Sequence, residues 1–276
     1  IYCRPICPSP RCKKINVRFY ATAAAAAAAG YRPCRRCRPE VAPGSPAWQG
    51  PSAVVRRALR LIQEGSLDTG TVENLATRLG IGSRHLDRLF VQHVGVSPVV
   101  VAQTRRLHFA KQLLDETHLR IIDIAMASGF GSVRRFNDAF LNAFGKPPRE
   151  LRRRAKLEAG ARRTESIELQ LAYRPPYDWD HLVSFLARSG IAGVECVGAQ
   201  EYTRALRAAK GHVIVNVRPR LDWNALSLKV TGATPATLLE LATVAKRVFD
   251  TCADPAPIAA VLATDPILRP LLEKRP

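Results

Sequence analysis

A pattern written twice constrains this chain more than any other feature. The stretch LATRLGIGSRHLDRLFVQHVGVSP, Leu75 to Pro98, is echoed by IAMASGFGSVRRFNDAFLNAFGKPP, Ile124 to Pro148. Ala76, Gly80, Leu86, Gly95 and Pro98 recur as Ala125, Gly129, Phe136, Gly145 and Pro148, at an offset of 49 residues up to the glycine turn and 50 after it. A short helix, a glycine turn and a longer helix make up a helix-turn-helix. Two such units joined by one long helix predict an all-α domain that enters the DNA major groove at two neighbouring places.

The periodicity sets the elements of this domain. Ser52 is placed to cap a helix running to about Glu64, with Val55, Leu59 and Ile62 on one face. Thr71 caps a short helix whose Val72, Leu75, Ala76 and Leu79 face inward, and Gly80 permits the sharp turn. Ser83 is expected to cap the first recognition helix. Leu86, Leu89, Phe90 and Val94 form its buried side, and Arg84, Asp87, Arg88, Val91 and Gln92 lie elsewhere on it. Pro98 opens the long helix to about Glu116, with an expected stripe of Val100, Thr104, Leu107, Ala110, Lys111 and Leu114. In the second unit Ile121, Ile124 and Ala125 are core. Ser132 starts a helix to about residue 143, with Phe136, Ala139, Phe140 and Phe144 inward and Arg134, Arg135, Asn137 and Asp138 outward. Arginine pairs with guanine edges and asparagine with adenine, although any of these side chains can equally serve a phosphate. Arg149, Arg152, Arg153, Arg154 and Lys156 trail behind as expected phosphate contacts.

Charge follows the same division. The formal net charge is +19 over 276 residues. Residues 1–50 hold nine basic and one acidic side chain, residues 51–165 twenty and eleven, and residues 166–276 thirteen and eleven. The first two segments suit a polyanion and the last does not. No apolar run is long enough to span a bilayer, and the opening IYCRPICPSPRC lacks the apolar stretch of a signal peptide. A cytoplasmic protein without a membrane partner is expected.

Seven cysteines are present, five of them within the first 37 residues. Cys3 and Cys7 form one close pair, and Cys34 and Cys37 another; Cys12 is left over. Two close pairs separated by an insert build a tetrahedral thiolate site, and zinc suits four thiolates. Inert reduced thiols, a disulfide knot and an iron–sulfur cluster are the alternatives. A zinc ion held by four thiolates is net negative, so its sulfurs are nucleophilic unless basic neighbours quench them. Arg35 and Arg36, with Arg4, Arg11, Lys13, Lys14, Arg18, Arg32 and Arg38, crowd this stretch and are candidates to hold a phosphate backbone. A plain zinc staple with a solvated basic face is the competing reading.

The runs IYCRPICP, NVRFY, an alanine-rich helix over Ala21 to Ala29 and GYRPCRRCRPE resemble the amino-terminal domain of the Ada family of alkylation-response proteins. The resemblance implies a small zinc-bound α/β module with Cys3, Cys7, Cys34 and Cys37 as ligands. It also implies that Cys3 irreversibly accepts a methyl group from a DNA methylphosphotriester. Methylation then removes negative charge at the metal and tightens promoter binding. Members of that family carry further residues before the first cysteine, so the amino-terminal part of the module is expected to be missing here. GFGSVRRFNDAFLNAFGKPPRELR resembles the AraC/XylS-type DNA-binding domain, in which both recognition helices enter successive major grooves. The two resemblances together imply double-stranded DNA, both alkylated and promoter DNA, as partner, with RNA polymerase as a further one. Ser83, Arg84, Arg88, Ser132, Arg134, Arg135 and Asn137 of the two helices, with Arg35 and Arg36 of the cysteine module, are the expected DNA-binding set.

Beyond a loose junction, Ile167 to Tyr173 alternates as a strand and Trp179 to Ser189 is an amphipathic helix. Strands follow at Glu195 to Val197, Glu201 to Leu206, His212 to Pro219 and Leu226 to Val230, then a helix at Pro235 to Phe249. The stretch from LAYRPPYDWDHLVSFLARSGIAGVE resembles the amino-terminal domain of AlkA-type 3-methyladenine DNA glycosylases. The catalytic helix-hairpin-helix domain of such enzymes is expected beyond Pro276, so no residue here inherits its roles. Asp254 and Asp265 are expected at helix starts, and His181 and His212 stand alone.

The expected fold class is multidomain α+β. A partial zinc-bound Ada-like module occupies 1–42, a linker 43–51 and the all-α double helix-turn-helix domain 52–156. An AlkA-like α/β two-layer domain occupies 166–252, and the start of a glycosylase helical domain 253–276. The expected activity is single-turnover methyl transfer in a DNA-repair and response protein. An AraC-type regulator with a purely structural zinc site is the alternative.

Overall fold

The computed structural model describes residues 1–3, 13–20, 22–34, 53–156, 166–207 and 211–274. The chain forms two compact units, Ile1–Asp115 with Leu119–Ala161, and Glu116–His118 with Arg162–Pro276.

In the first unit the alanine run folds as α1 (Ala23–Ala28), since alanine gives up no side-chain freedom in a helix. Thr22 caps it by accepting from the Ala25 amide at 3.1 Å. α2 (Ala53–Gln63) buries Val55, Ala58, Leu59 and Ile62; Ser52, its expected cap, lies outside the described residues. α3 (Val72–Arg78) is capped by Thr71, whose hydroxyl accepts from the Asn74 amide at 3.3 Å. α4 (Ser83–Val94), α5 (Pro98–Glu116), α6 (Ile121–Ala127), α7 (Val133–Phe144) and α8 (Pro148–Lys156) follow.

Each helix-turn-helix turns on a glycine. Gly80 and Gly129 have φ of +72° and +75°, a region that side chains with a Cβ rarely enter. The first core contains Leu75, Ala76, Leu86, Phe90 and Val94 with residues of α2 and with Val101 and Ala102 of α5. The same cluster takes in Tyr2, Ala23, Ala24 and Ala26, so the cysteine-rich segment and the first helix-turn-helix unit share one core. The second core is aromatic. Phe136 and Phe140 are fully buried with ring centroids 5.4 Å apart, Phe130 lies 5.3 Å from Phe136, and Phe144 lies 4.5 Å from Phe140.

The expected single stripe on α5 is corrected. Leu107, Ala110 and Leu114 are buried as expected, but so are Val101, Phe109 and Leu113, while Val100, Thr104 and Lys111 are only half-buried. A helix covered on more than one side does not keep one apolar face. Lys111 pairs along the helix with Asp115.

The second unit is built on an antiparallel sheet in the order β1-β5-β4-β3-β2. Its strands are β1 (Ser166–Ala172), β2 (Glu195–Gly198), β3 (Glu201–Arg207), β4 (His212–Arg220) and β5 (Ala225–Thr231). Alternation buries Val213, Val215 and Val217 on β4 and Leu226, Leu228 and Val230 on β5. α9 (Trp179–Ser189) and α10 (Leu238–Val248) supply Trp179, Val183, Leu238, Leu239, Ala242 and Ala245 to the core. Trp179 stacks on Phe249 at 5.9 Å, and its indole donates to the Ala199 carbonyl at 2.9 Å. Residues 235–237, expected to begin α10, form a separate 3-10 turn. α11 (Pro255–Leu262) and α12 (Arg269–Lys274) end the described chain. Asp254 stands at the start of α11, paired with Arg174, and Asp265 accepts from the amides of Ile267 and Leu268.

Candidate nucleic-acid interface and metal centre

The outward faces of α4 and α7 correspond position by position. On α4, Arg84, Asp87, Arg88 and Val91 are exposed at the spacing of one helix face. On α7 their repeat partners Arg134, Asn137, Asp138 and Leu141 are exposed in the same register. Inward, Leu86, Phe90 and Val94 match Phe136, Phe140 and Phe144. Each helix is thus held by its apolar face and presents polar side chains with one apolar side chain among them. Val91 is 59% exposed and Leu141 45%. An apolar side chain on such a face fits a thymine methyl group. Leu141 was not singled out from sequence, although its equivalence to Val91 was there to be read.

The starts of the two helices differ. Ser132 is the N-cap of α7 and accepts from the Arg135 amide at 3.2 Å. Ser83, expected to cap α4, is instead its first helical residue; Gly82 holds the cap position and provides no side-chain bond. GIGS and GFGS pair Ser83 with Ser132, but the second copy has one more residue, Val133, before its arginine, so the cap position falls on Gly82 in α4 and on Ser132 in α7. Arg88 lies 2.9 Å from Nδ1 of His85, a contact that orients its guanidinium across the exposed side of α4. Arg135 is exposed beside Arg134.

Arg152, expected on a phosphate, turns inward and donates to the Leu119 carbonyl. Burial pulls its pKa below the ordinary arginine value. Arg149 is exposed. At the start of α6, Arg120 reaches Asp123 at 2.7 Å, and its hydrogen bond holds that carboxyl below the usual range.

Of the four candidate metal ligands, Cys3 and Cys34 are described; Cys7 and Cys37 lie outside the described residues, as do Arg35 and Arg36. The Tyr2 amide donates to the Arg32 carbonyl at 2.8 Å and the Cys34 amide to the Tyr2 carbonyl at 3.0 Å. These bonds form a parallel bridge between Tyr2 and Pro33. Cys3 and Cys34 directly follow the two bridged residues, so the bridge brings their backbones, distant in sequence, together. Cys34 is buried and Cys3 exposed. Among the described residues no group of three or more candidate ligands is assembled. Thiols are the donor type that zinc takes, so the chemistry of the two described cysteines suits it.

Sequence reasoning gave Thr22 no role, yet it joins this segment to α4. Its hydroxyl caps α1 and also donates to the carbonyl of Val94, the last residue of α4. A Cβ placed on the neighbouring Gly95 would come within 3.1 Å of the Ala25 Cβ. A threonine ahead of an alanine run is a recognisable cap signal; its second partner lies 72 residues away and leaves no local trace. No helix among the described residues is long and apolar enough to cross a membrane.

Comparison with known proteins adds to this geometry. The metal binding domain of Ada matches residues 1–40, a helix-turn-helix domain residues 75–154, and the AlkA N-terminal domain residues 168–276. A probable bifunctional transcriptional activator/DNA repair enzyme AlkA of Mycobacterium tuberculosis is 38% identical over 278 residues, covering 100% of this chain and 56% of the relative. The bifunctional transcriptional activator/DNA repair enzyme AdaA of Bacillus subtilis is 32% identical over 160 residues, 57% of this chain and 72% of that protein. The bifunctional enzyme Ada of Escherichia coli is 37% identical over 114 residues, 41% of this chain and 31% of that protein. The chain thus spans little more than half the length of the mycobacterial relatives. With a zinc-binding module, a DNA-binding double helix-turn-helix and an AlkA-type α/β domain in succession, the chain belongs to the family of Ada/AlkA-type bifunctional transcriptional activators and DNA repair proteins.

Proposed function

We propose that Cys3 is the single-use acceptor of a methyl group from DNA methylphosphotriesters, and that α4 and α7 hold promoter DNA through successive major grooves. The observation that supports the first half is that Cys3, which follows Tyr2 of the Tyr2–Pro33 bridge, is exposed, while Cys34, which follows Pro33, is buried. A metal-site thiol that also reacts must reach solvent, and one that only holds the metal need not.

Cys3, Cys7, Cys34 and Cys37 would hold the zinc, which when bound keeps the Cys3 sulfur as a thiolate at neutral pH. The Cys3 Sγ attacks the methyl carbon of the triester in line with the carbon–oxygen bond. A sulfur–carbon bond forms and the carbon–oxygen bond breaks, leaving its electron pair on the phosphate oxygen. The triester returns to an anionic diester, and the cysteine becomes a neutral thioether that nothing in the reaction regenerates. Arg32, exposed and two residues before Cys34, would hold the phosphate, with Arg35 and Arg36 next in the sequence as further candidates. The negative charge leaves the protein for the DNA, so the reacted module repels phosphate less.

The paired faces of α4 and α7 support the second half. Arg84, Arg88, Arg134 and Asn137 are of the types that bind base edges, and the segments holding them carry the excess of positive charge. RNA polymerase is proposed as the partner of the DNA-bound protein. The AlkA-type segment is proposed to serve 3-methyladenine removal in a longer product.

Mass analysis of peptides after incubation with duplex DNA bearing methylphosphotriesters tests the reading. One methyl group on the Cys3 peptide is expected, and none in Cys3→Ser. A zinc-loaded protein that binds DNA but gains no methyl group would leave only a regulator with a structural metal.

A further inference from the structure

Arg106 stands midway along α5 and touches both helix-turn-helix units at once. Its Nη2 donates to the carbonyl of Leu67 and, at 3.0 Å, to that of Asp68. Both carbonyls belong to the loop that leads into α3 of the first unit. On its other side the same guanidinium lies against the turn of the second unit. A Cβ added at Gly129 would meet Arg106 Nε at 3.4 Å and Cζ at 3.7 Å. The preceding residue, Arg105, grips the same loop through the Asp68 carboxylate, with both oxygens at 2.8 Å. Asp68 Oδ1 also lies 3.6 Å from Arg106 Nε.

Apolar packing along α5 holds the two units together but is non-directional and tolerates small slips. A planar guanidinium with fixed donors does not. Fastened to two carbonyls on one side and lying beside the Gly129 turn on the other, it ties the settings of the two turns to each other. Each turn aims the helix that follows it, α4 or α7.

We infer that Arg106 is a positioning residue that fixes the angle and separation between α4 and α7, and so dictates the spacing between the two stretches of DNA the chain reads. It does this without being one of the outward-facing residues of either helix. The inference rests on the reading of α4 and α7 as a paired groove-binding set.

Selection from a random-sequence duplex pool tests it, using the protein, Arg106→Met and Arg106→Lys, with melting curves for each. The protein is expected to enrich two motifs at one fixed separation, about one helical turn of DNA. Moving one motif by a base pair should then weaken binding about tenfold, the loss of one good base contact. Arg106→Met should enrich the same two motifs over a spread of separations, with the one-base-pair shift costing under about threefold. Arg106→Lys keeps the charge but not the fork, and should fall between. The same motifs at an unbroadened separation in Arg106→Met would overturn the inference. If Arg106→Met does not fold, Arg106→Lys decides on its own: broadened separation supports the inference and unchanged separation overturns it. Enrichment of a single motif by the unaltered protein would instead remove the paired reading itself, and the inference with it.

Discussion

Arg84 and Arg134 occupy the same place in the two copies, each opening the exposed face of its helix. Their neighbours differ, however. Three and four positions on, the first copy has Asp87 and Arg88 where the second has Asn137 and Asp138. The two helices are therefore expected to prefer different base sequences, with an asymmetric site as the result. Arg134→Ala should cost about 1–3 kcal/mol of DNA affinity if it binds a base edge, with specificity relaxed at one position. If it binds phosphate, the loss should be uniform across sequences and the salt slope should fall by about one. Titrations of the variant at several salt concentrations separate the two, and unchanged affinity with an unchanged slope would remove Arg134 from the interface. The same logic of exposure distinguishes Cys3 from Cys34: one thiol open to solvent and one enclosed are suited to different work.

Thr22 shows how one short helix is joined to the DNA-reading scaffold. It is 6% exposed and serves both α1, as cap, and α4, through the Val94 carbonyl. Thr22→Val keeps the shape and removes both bonds, so a loss of about 1–3 kcal/mol of stability is expected. Thermal or denaturant unfolding measures it, and an unchanged midpoint would mean that α1 is not held by this contact. The helices themselves were legible in the chain. The Gly–Pro punctuation and the repeat place α3 to α7 closely, and α5 and α9 run between the residues expected. The strands were legible too, because alternation survives wherever one sheet face is buried. What periodicity misses is contact between distant segments. The stripe on α5 was misread because neighbours cover that helix on more than one side. Arg152 reads as one of a basic cluster, yet its guanidinium meets a carbonyl 33 residues away. Arg106 and Thr22 carry no local signal of the partners they hold. In the candidate metal site, the bridge that brings the segments of Cys3 and Cys34 together has only two backbone bonds, too short for any sequence pattern to announce. Family resemblance, rather than spacing alone, singled out Cys3 as the candidate acceptor.

At the scale of the whole chain, the proposed function joins damage chemistry to DNA reading. Its basic excess sits in the segments that carry the cysteines and the helix-turn-helix pair, and the AlkA-type segment is close to neutral. The cysteine segment is not merely tethered ahead of the DNA-binding domain, since Tyr2 and α1 enter the same core as α2 to α4. The proposed change of charge at Cys3 would thus arise on a body already attached to the first recognition helix. In this account the reacted protein is the signal: methylation cancels one negative charge beside DNA, and affinity rises because phosphate is repelled less. The decisive measurement compares unreacted and Cys3-methylated protein binding the same selected duplex across a salt series. The account predicts tighter binding by the methylated protein at every salt concentration, with the gap narrowing as salt rises. Equal affinities for the two forms would contradict it.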